Sequence, residues 1–245
     1  MNGQDSPTPV AVIPPSQPAA ITTVAPAWHT IIVLLFMLTL SALSYYSQNL
    51  TPVRQPRSHV ANYVAAIVME WIIVAFIWFG LRLRKQRLHV LLGENWRGMK
   101  GIFRDLGIGV AFLIAANIVL TAIGHLLNAK PNAAVKNLLP HGREEIAVYF
   151  LLTVTAGICE EVIFRGYFQR QFSAWLKSAT VGLVLQGIVF GASHGYQGGK
   201  SMLIIVVYGV MFGMLAHWQR TLRPGMFAHF LQDFGAGLIG GRYLK

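Results

Sequence analysis

The sequence predicts an all-α fold, namely a polytopic helical membrane protein with about seven (six to eight) transmembrane helices. Of its 245 residues, 54% are hydrophobic and only 12% are charged. A soluble domain carries about 25% charged residues, so this chain has roughly half the charge needed to cover a water-facing surface. This composition excludes an ordinary cytosolic enzyme and a disordered protein. The single cysteine, Cys159, excludes a disulfide-rich fold.

The apolar segments follow a proline-rich N-terminus. Residues 1–27 contain six of the eleven prolines and no Lys or Arg, which predicts a disordered tail. Because a membrane span needs about 20 apolar residues, the first three spans are predicted at 28–46, 60–81 and 105–127. A fourth runs from about residue 145 past Glu161. Three shorter, glycine-rich spans are predicted at 179–194, 201–218 and 224–241.

Two pairs of glycines in the later spans predict close helix packing. Gly187 and Gly191 are four residues apart, and so are Gly209 and Gly213. Small residues at this spacing let helix backbones approach closely in lipid. We therefore interpret these glycines as packing residues.

Basic residues set the predicted orientation. Seven Lys and Arg lie from Arg82 to Arg104, and the positive-inside rule places this loop, 82–104, in the cytoplasm. Alternation of the spans then places the N-terminus on the same side. The net charge of +11 does not indicate nucleic-acid binding, because no basic run is interleaved with aromatic residues. No organelle signal is visible, so we expect an integral membrane protein of the plasma membrane.

The strongest chemical signal is a group of charged residues inside the fourth span. Glu161 and Arg165 are four residues apart, so on an α-helix they share a face and can form an ion pair. Glu160 lies about 100° further round the helix and is left without that partner. Such a carboxylate could serve as a general base. The alternative is a salt-bridged helix end at the membrane interface.

Two histidine motifs follow in later spans. His194 comes four residues after Phe190, near the end of an apolar helix, where a histidine is more often a hydrogen-bonded interfacial residue. His229 and Asp233 are four apart on one face of the last span, as in a structural hydrogen bond or a proton relay. Glu70 is a weaker candidate, since it could pair with His125 or with a polar backbone group.

Taken in order, these motifs resemble the signature of the CPBP (Abi) family of intramembrane proteases, which includes the CAAX prenyl endopeptidases. The motifs are Glu160-Glu161-xxx-Arg165, Phe190-xxx-His194 and His229-xxx-Asp233. The resemblance covers about residues 145–241, the expected catalytic core, whereas residues 28–127 contribute only compatible spans. It implies a helical membrane fold with a catalytic chamber open to the cytoplasmic side. It also implies peptide-bond hydrolysis by water that a glutamate and a histidine activate.

The resemblance also implies a role for each motif residue. Glu160 would be the general base, and His194 would help to hold the water. Glu161 and Arg165 would form a supporting ion pair, and Phe190 would be a wall of the site. His229 and Asp233 would occupy the positions that stabilise the oxyanion.

Asp233 departs from the prenyl-protease pattern, which has Asn at this position. Asn can donate a hydrogen bond to a developing oxyanion, whereas an ionised Asp only accepts. Either Asp233 is protonated, or it orients His229, which then acts as the donor. The spacing of four residues favours the second alternative.

The resemblance leaves the cofactor open between two alternatives. The glutamate–water mechanism needs no metal, and the chain lacks a His-Glu-x-x-His helix. We therefore expect no cofactor. If a divalent metal such as zinc is bound, Glu160, His194 and His229 are the expected ligands.

Two further functions compete with proteolysis. A proton-coupled transporter would also place acids inside the membrane, although the chain shows none of the usual inverted repeats. A non-proteolytic scaffold or immunity protein of the same fold is the other alternative. For a protease, the expected partners are membrane lipid and a peptide or protein substrate, with lipidated substrates included.

Overall fold

The structure, a computed structural model, describes residues 22–50, 58–93, 98–129 and 138–243, without the side chains of 48–50 and 240–243. These ranges are mostly helical. The longer helices are α1 (Ala27–Leu50), α2 (Val60–Leu83), α4 (Gly98–Leu126), α5 (Arg143–Glu160), α8 (Gly199–Gln219) and α9 (Arg223–Tyr243). The shorter elements are α3 (His89–Leu92), a π-helix (Glu161–Phe168), α6 (Gln169–Leu176), α7 (Ala179–Ser193) and a 3₁₀ turn (Gly195–Gln197). The predicted all-α class is confirmed.

Five helical segments of the described ranges are long and apolar enough to cross a membrane. They are Ala27–Ser47, Val60–Leu83, Gly98–Leu126, Arg143–Leu176 and Gly199–Gln219. The fourth is a continuous run through α5, the π-helix and α6, and α7 is a shorter apolar helix. The third begins before the predicted residue 105. The polytopic membrane class is confirmed, while the number of spans stays a prediction.

The end of the N-terminal tail departs from the predicted disorder. Val24 and Ala25 are buried, and both backbone N–H groups donate to Gln171 Oε1, at 3.0 and 3.2 Å. Gln171 Nε2 in turn donates to the Ala25 carbonyl oxygen at 2.9 Å. The side-chain amide of Gln171 therefore forms the hydrogen bonds that a neighbouring β-strand would form with the backbone of residues 22–26, which we call the strap. Residues 1–21 lie outside the described part of the chain.

The glycine pairs bring α7 and α8 together as predicted. A Cβ on Gly187 would lie 2.9 Å from the Val210 backbone nitrogen, and a Cβ on Gly209 would lie 2.9 Å from Gly187 Cα. Real side chains do not tolerate such distances to backbone atoms. The two helices therefore owe their close approach to these glycines.

The segment after α2 is fixed beneath the π-helix. The buried side chain of Leu91 packs on Gly166, and the Leu222 N–H donates to the Leu92 carbonyl oxygen at 3.1 Å. Gly93 ends this segment with φ +88°, and a Cβ there would collide with the Arg220 carbonyl oxygen. Glycine is the residue that this left-handed conformation and close approach require.

Helix α5 lies close against α9. A Cβ on Gly157 would be 2.8 Å from the Met226 carbonyl oxygen and 3.0 Å from the Phe230 nitrogen. This close approach sets the distance between Glu160, at the end of α5, and His229 on α9.

Candidate active site

The π-helix carries a buried ion pair. Arg165 Nη1 donates to Glu161 Oε1 at 2.8 Å, and both side chains are almost completely buried. The guanidinium lies over the rings of Phe190 and Phe212, 4.3 and 4.7 Å from their centroids. These aromatic faces favour the cation. The predicted pairing of Glu161 with Arg165 is therefore present, although on a π-helix and not on the expected α-helix.

Glu161 also holds His229. The Nδ1 atom of His229 lies 3.1 Å from Glu161 Oε1, the same oxygen that accepts from Arg165. A carboxylate can only accept, so Nδ1 carries the proton of this hydrogen bond. One carboxylate thus links the π-helix to α9. The spacing of the motifs in the sequence does not predict this contact.

The other nitrogen of His229 faces two further carboxylates. Its Nε2 atom is 3.6 Å from Glu160 Oε2 and 3.6 Å from Asp233 Oδ2. Asp233 was expected to orient His229, but Glu161 is the nearer carboxylate and makes the hydrogen bond. Glu160 Oε2 is buried and finds no hydrogen-bond partner among the described residues.

His194 is oriented by the helix that it ends. Its Nδ1 lies 2.9 Å from the Phe190 carbonyl oxygen, and its ring packs edge-on against Phe190 at 4.9 Å. Because a carbonyl oxygen only accepts, the proton of this bond is on Nδ1. In a neutral ring Nε2 is then free to accept a hydrogen bond. Phe190, predicted as a wall of the site, touches Arg165, His194 and His229.

Two cavities meet at these residues. The larger, about 480 Å³, is lined by Glu160, His194, His229 and Asp233 together with wall residues that include Tyr149 and Tyr208. The smaller, about 230 Å³, lies between α1 and α2 and includes Ser41 and Met69. Both cavities are lined by Glu70, Glu160 and His194. The structure therefore brings the residues of the three motifs to one place.

Glu70, which the sequence indicates only as a weaker candidate, lies at the site with Glu160 and His194. It lines both cavities, and its Oε2 atom is buried without a hydrogen-bond partner in the described part of the chain. His125, the suggested partner, is exposed near the end of α4. An acid in the middle of an apolar span was the available signal.

The larger cavity reaches the end of the bundle opposite the basic loop. Its lining includes Asn62 at the start of α2, Leu138 before α5 and Gln197 between α7 and α8. The loop that begins at Arg82 follows the other end of α2. A cytoplasmic loop and a chamber open to the cytoplasm were both expected, and both stay predictions; the loop and this part of the cavity lie at opposite ends of α2.

The rim of this cavity is held by hydrogen bonds. Tyr63 Oη donates to the Leu138 carbonyl oxygen at 2.7 Å. Glu145 accepts from the backbone N–H of His59 at 2.9 Å and of His141 at 2.8 Å. Hydrogen bonds therefore connect the start of α2 with the residues just before α5 and at its start.

No group of three or more His, Cys, Asp or Glu placed to hold a metal ion is found among the described residues. The oxygen of Glu161 nearest to His229 is already bonded to both Arg165 and His229.

Comparison with known proteins supports the resemblance. Residues 142–235 match the family model described as Rce1-like, type II CAAX prenyl endopeptidase. No curated protein and no solved structure matches the chain. The matched range contains all three motifs, and the description of the family is that of a prenyl endopeptidase. Together with the long apolar helices, the match indicates an integral membrane protein.

Proposed function

Since residues 142–235 match the Rce1-like family model, we propose that this protein is an intramembrane endopeptidase that cleaves membrane-associated proteins. The observation that carries the proposal is the shared position of Glu160 and His194 at the junction of two cavities. Glu160 lines both cavities and its Oε2 forms no hydrogen bond to another described residue, which supports a role in holding water.

We assign the activation of water to Glu160 and His194. Water held between the Glu160 carboxylate and His194 Nε2 gives one proton to Glu160. The resulting hydroxide attacks the scissile carbonyl carbon and forms the new C–O bond. Apolar helices keep bulk water away, which strengthens these interactions. The step uses no metal.

We assign the stabilisation of the oxyanion to His229. Glu161 accepts from Nδ1, which fixes the ring and leaves Nε2 directed toward the cavity. With a proton on Nε2, the ring can donate to the oxyanion, and the nearby carboxylates balance its charge. The C–N bond then breaks, and the proton taken by Glu160 passes to the leaving amine. Loss of one such donor typically reduces turnover by about 10²–10³.

The smaller cavity supports a membrane-tethered substrate. It lies between α1 and α2, whose outer faces carry exposed apolar residues such as Leu35 and Ile72. A peptide anchored in lipid can enter between these helices and reach Glu70, Glu160 and His194. We include prenylated CAAX-type proteins among the candidate substrates.

The test uses purified protein and two CAAX peptides, one prenylated and one not, with and without a chelator. We expect cleavage by the wild type and by Glu144→Gln, an exposed acid at the start of α5. Glu160→Gln and His194→Ala are expected to abolish cleavage while remaining folded. His125→Ala is the matched control for the second variant, because His125 is exposed and lines neither cavity.

Each other result assigns a different function or mechanism. Cleavage by Glu160→Gln would remove the general-base assignment. Loss of activity with the chelator would establish a metal-dependent reaction. If the wild type does not cleave but takes up a solute into liposomes together with protons, a transporter is favoured. If it shows neither cleavage nor uptake, a scaffold is favoured.

A further inference from the structure

A third cavity, of about 440 Å³, lies at the basic end of the bundle. Its lining comes from the N-terminal strap, the segment after α2, the π-helix with α6, the start of α7 and the end of α8. This volume is in the range of small-molecule sites. None of the residues assigned to hydrolysis, other than the supporting Arg165, lines it.

The cavity is positively charged. Arg165, Arg170 and Arg220 line it, and no Asp or Glu is among its described lining residues. Ala179, the first residue of the fifteen-residue helix α7, is also in the lining. The N-terminus of a helix carries a partial positive charge and unpaired N–H groups. The cavity is therefore suited to an anion.

Arg165 adds a buried positive charge beside the cavity. The residue is only 2% exposed, and its Nε finds no hydrogen-bond partner within the described ranges. Nη1 donates to Glu161, and Nη2 is 3.4 Å from the Gly209 carbonyl oxygen. Because the Nε atom is buried, Arg165 contributes its charge, and the direct contacts to an anion fall to Arg170 and Arg220.

The residues around the cavity indicate that it lies at the depth of the lipid headgroups. Exposed tryptophans stand at this end of four helices, and such residues mark the membrane interface. They are Trp28, Trp78, Trp175 and Trp218. Apolar side chains, including Val24, Val90 and Leu222, line the cavity beside the arginines. A ligand that joins a phosphate to an apolar part matches this mixed lining.

We propose that this cavity binds the phosphate group of an anionic phospholipid headgroup. Arg170 and Arg220 contact the phosphate, and the apolar wall contacts the glycerol and the first part of the acyl chains. Basic pockets between transmembrane helices are a known means of binding such headgroups. The proposal does not depend on the proposed hydrolase activity.

The test compares lipids on delipidated protein in detergent. Phosphatidylglycerol, phosphatidylcholine and inorganic phosphate are added separately, and tryptophan fluorescence follows thermal unfolding while native mass spectrometry counts bound lipid. We expect phosphatidylglycerol to remain bound and to raise the melting temperature more than the other two. The double variant R170Q/R220Q is expected to bind it about thirtyfold more weakly, at roughly fivefold per arginine.

The matched control is K100Q/K177Q, which removes two exposed charges from the same end without touching the cavity. Equal weakening in both double variants would overturn the proposal in favour of general surface attraction. A response to phosphate alone would assign the cavity to a free anion and overturn the lipid. If the double variant unfolds, lipid binding is compared between the single variants Arg220→Gln and Lys177→Gln, since both side chains are exposed.

Discussion

Two adjacent carboxylates have very different surroundings in this molecule. Glu161 Oε1 is bonded to Arg165 at 2.8 Å and to His229 at 3.1 Å. Glu161 Oε2 and Glu160 Oε2 have no hydrogen-bond partner among the residues described, and the contact of Glu160 Oε2 with His229 Nε2 is longer, at 3.6 Å. Through its Oε1 atom Glu161 is suited to hold the structure together, whereas Glu160 lines both cavities and is the better placed of the two for chemistry.

Substitution of each glutamate by glutamine should separate these roles. Glu161→Gln leaves the buried Arg165 charge uncompensated, and breaking a buried pair in this way costs about 3–5 kcal/mol. Glu160→Gln is expected to change the free energy of unfolding by less than about 1 kcal/mol. Denaturation of both variants in detergent measures the difference. Equal stability of the two would contradict the structural role of Glu161.

The sequence could predict some of these residue contacts but not others. The spacing of four between Glu161 and Arg165 predicts their pair, because local helix geometry determines it. The bond between Glu161 and His229 joins residues 68 apart, so it depends on how the π-helix and α9 pack. The position of Glu70 beside Glu160 depends in the same way on the packing of α2.

At the level of elements, the π-helix gives the site its shape. All eight residues from Glu161 to Phe168 are buried. Eight residues of an α-helix or a π-helix point to all sides, so this segment is surrounded by other elements, and the wider turn of the π-helix changes the phase of the residues that follow. The apolar pattern predicts a helix here but not its width, because a fully buried segment has no polar face to define the period.

The contact between α5 and α9 should be sensitive to one methyl group. Gly157→Ala places a Cβ 2.8 Å from the Met226 carbonyl oxygen, so α9 has to move away from α5. We expect a loss of about 1–3 kcal/mol of stability. Since His229 moves with α9, turnover is expected to fall by up to about 10²-fold. Thermal unfolding and CAAX-peptide cleavage measure the two effects.

Gly124→Ala is the control for this substitution. Gly124 is also helical, but nothing lies within 4 Å of the Cβ added there. Alanine is favoured over glycine in a helix by about 1 kcal/mol, so this variant should keep or gain stability. If Gly157→Ala keeps both its stability and its turnover, the spacing of α5 and α9 does not control the site.

At the level of the whole molecule, the two largest cavities described here lie at opposite ends. The cavity with Glu160 and His229 reaches Asn62 and Gln197, whereas the basic cavity reaches Gln86 and Arg220. Composition predicts a membrane protein, because the class depends on the fraction of apolar residues alone. The end at which the chamber opens depends on which halves of the helices separate, and composition carries no information on that.

Cysteine labelling should place the two ends on opposite sides of the membrane. The native Cys159 is buried, so the wild type should not react with a membrane-impermeant maleimide in intact cells. Asn62 and Arg87 are exposed, one at the cavity rim and the other in the basic loop. By the positive-inside rule, Asn62→Cys should react in intact cells and Arg87→Cys only after permeabilisation.

This orientation decides which substrates can reach the site. With the rim outside, the proposed chamber would receive segments of exported or membrane proteins, and a cytoplasmic prenylated C-terminus would have to enter from the membrane, as between α1 and α2. The reverse labelling pattern would place the rim in the cytoplasm, as expected of a chamber for cytoplasmic CAAX proteins. The basic loop after α2 would then be an exception to the positive-inside rule. Labelling of both cysteines from one side would contradict the fold itself, because Asn62 and Arg87 lie at opposite ends of α2.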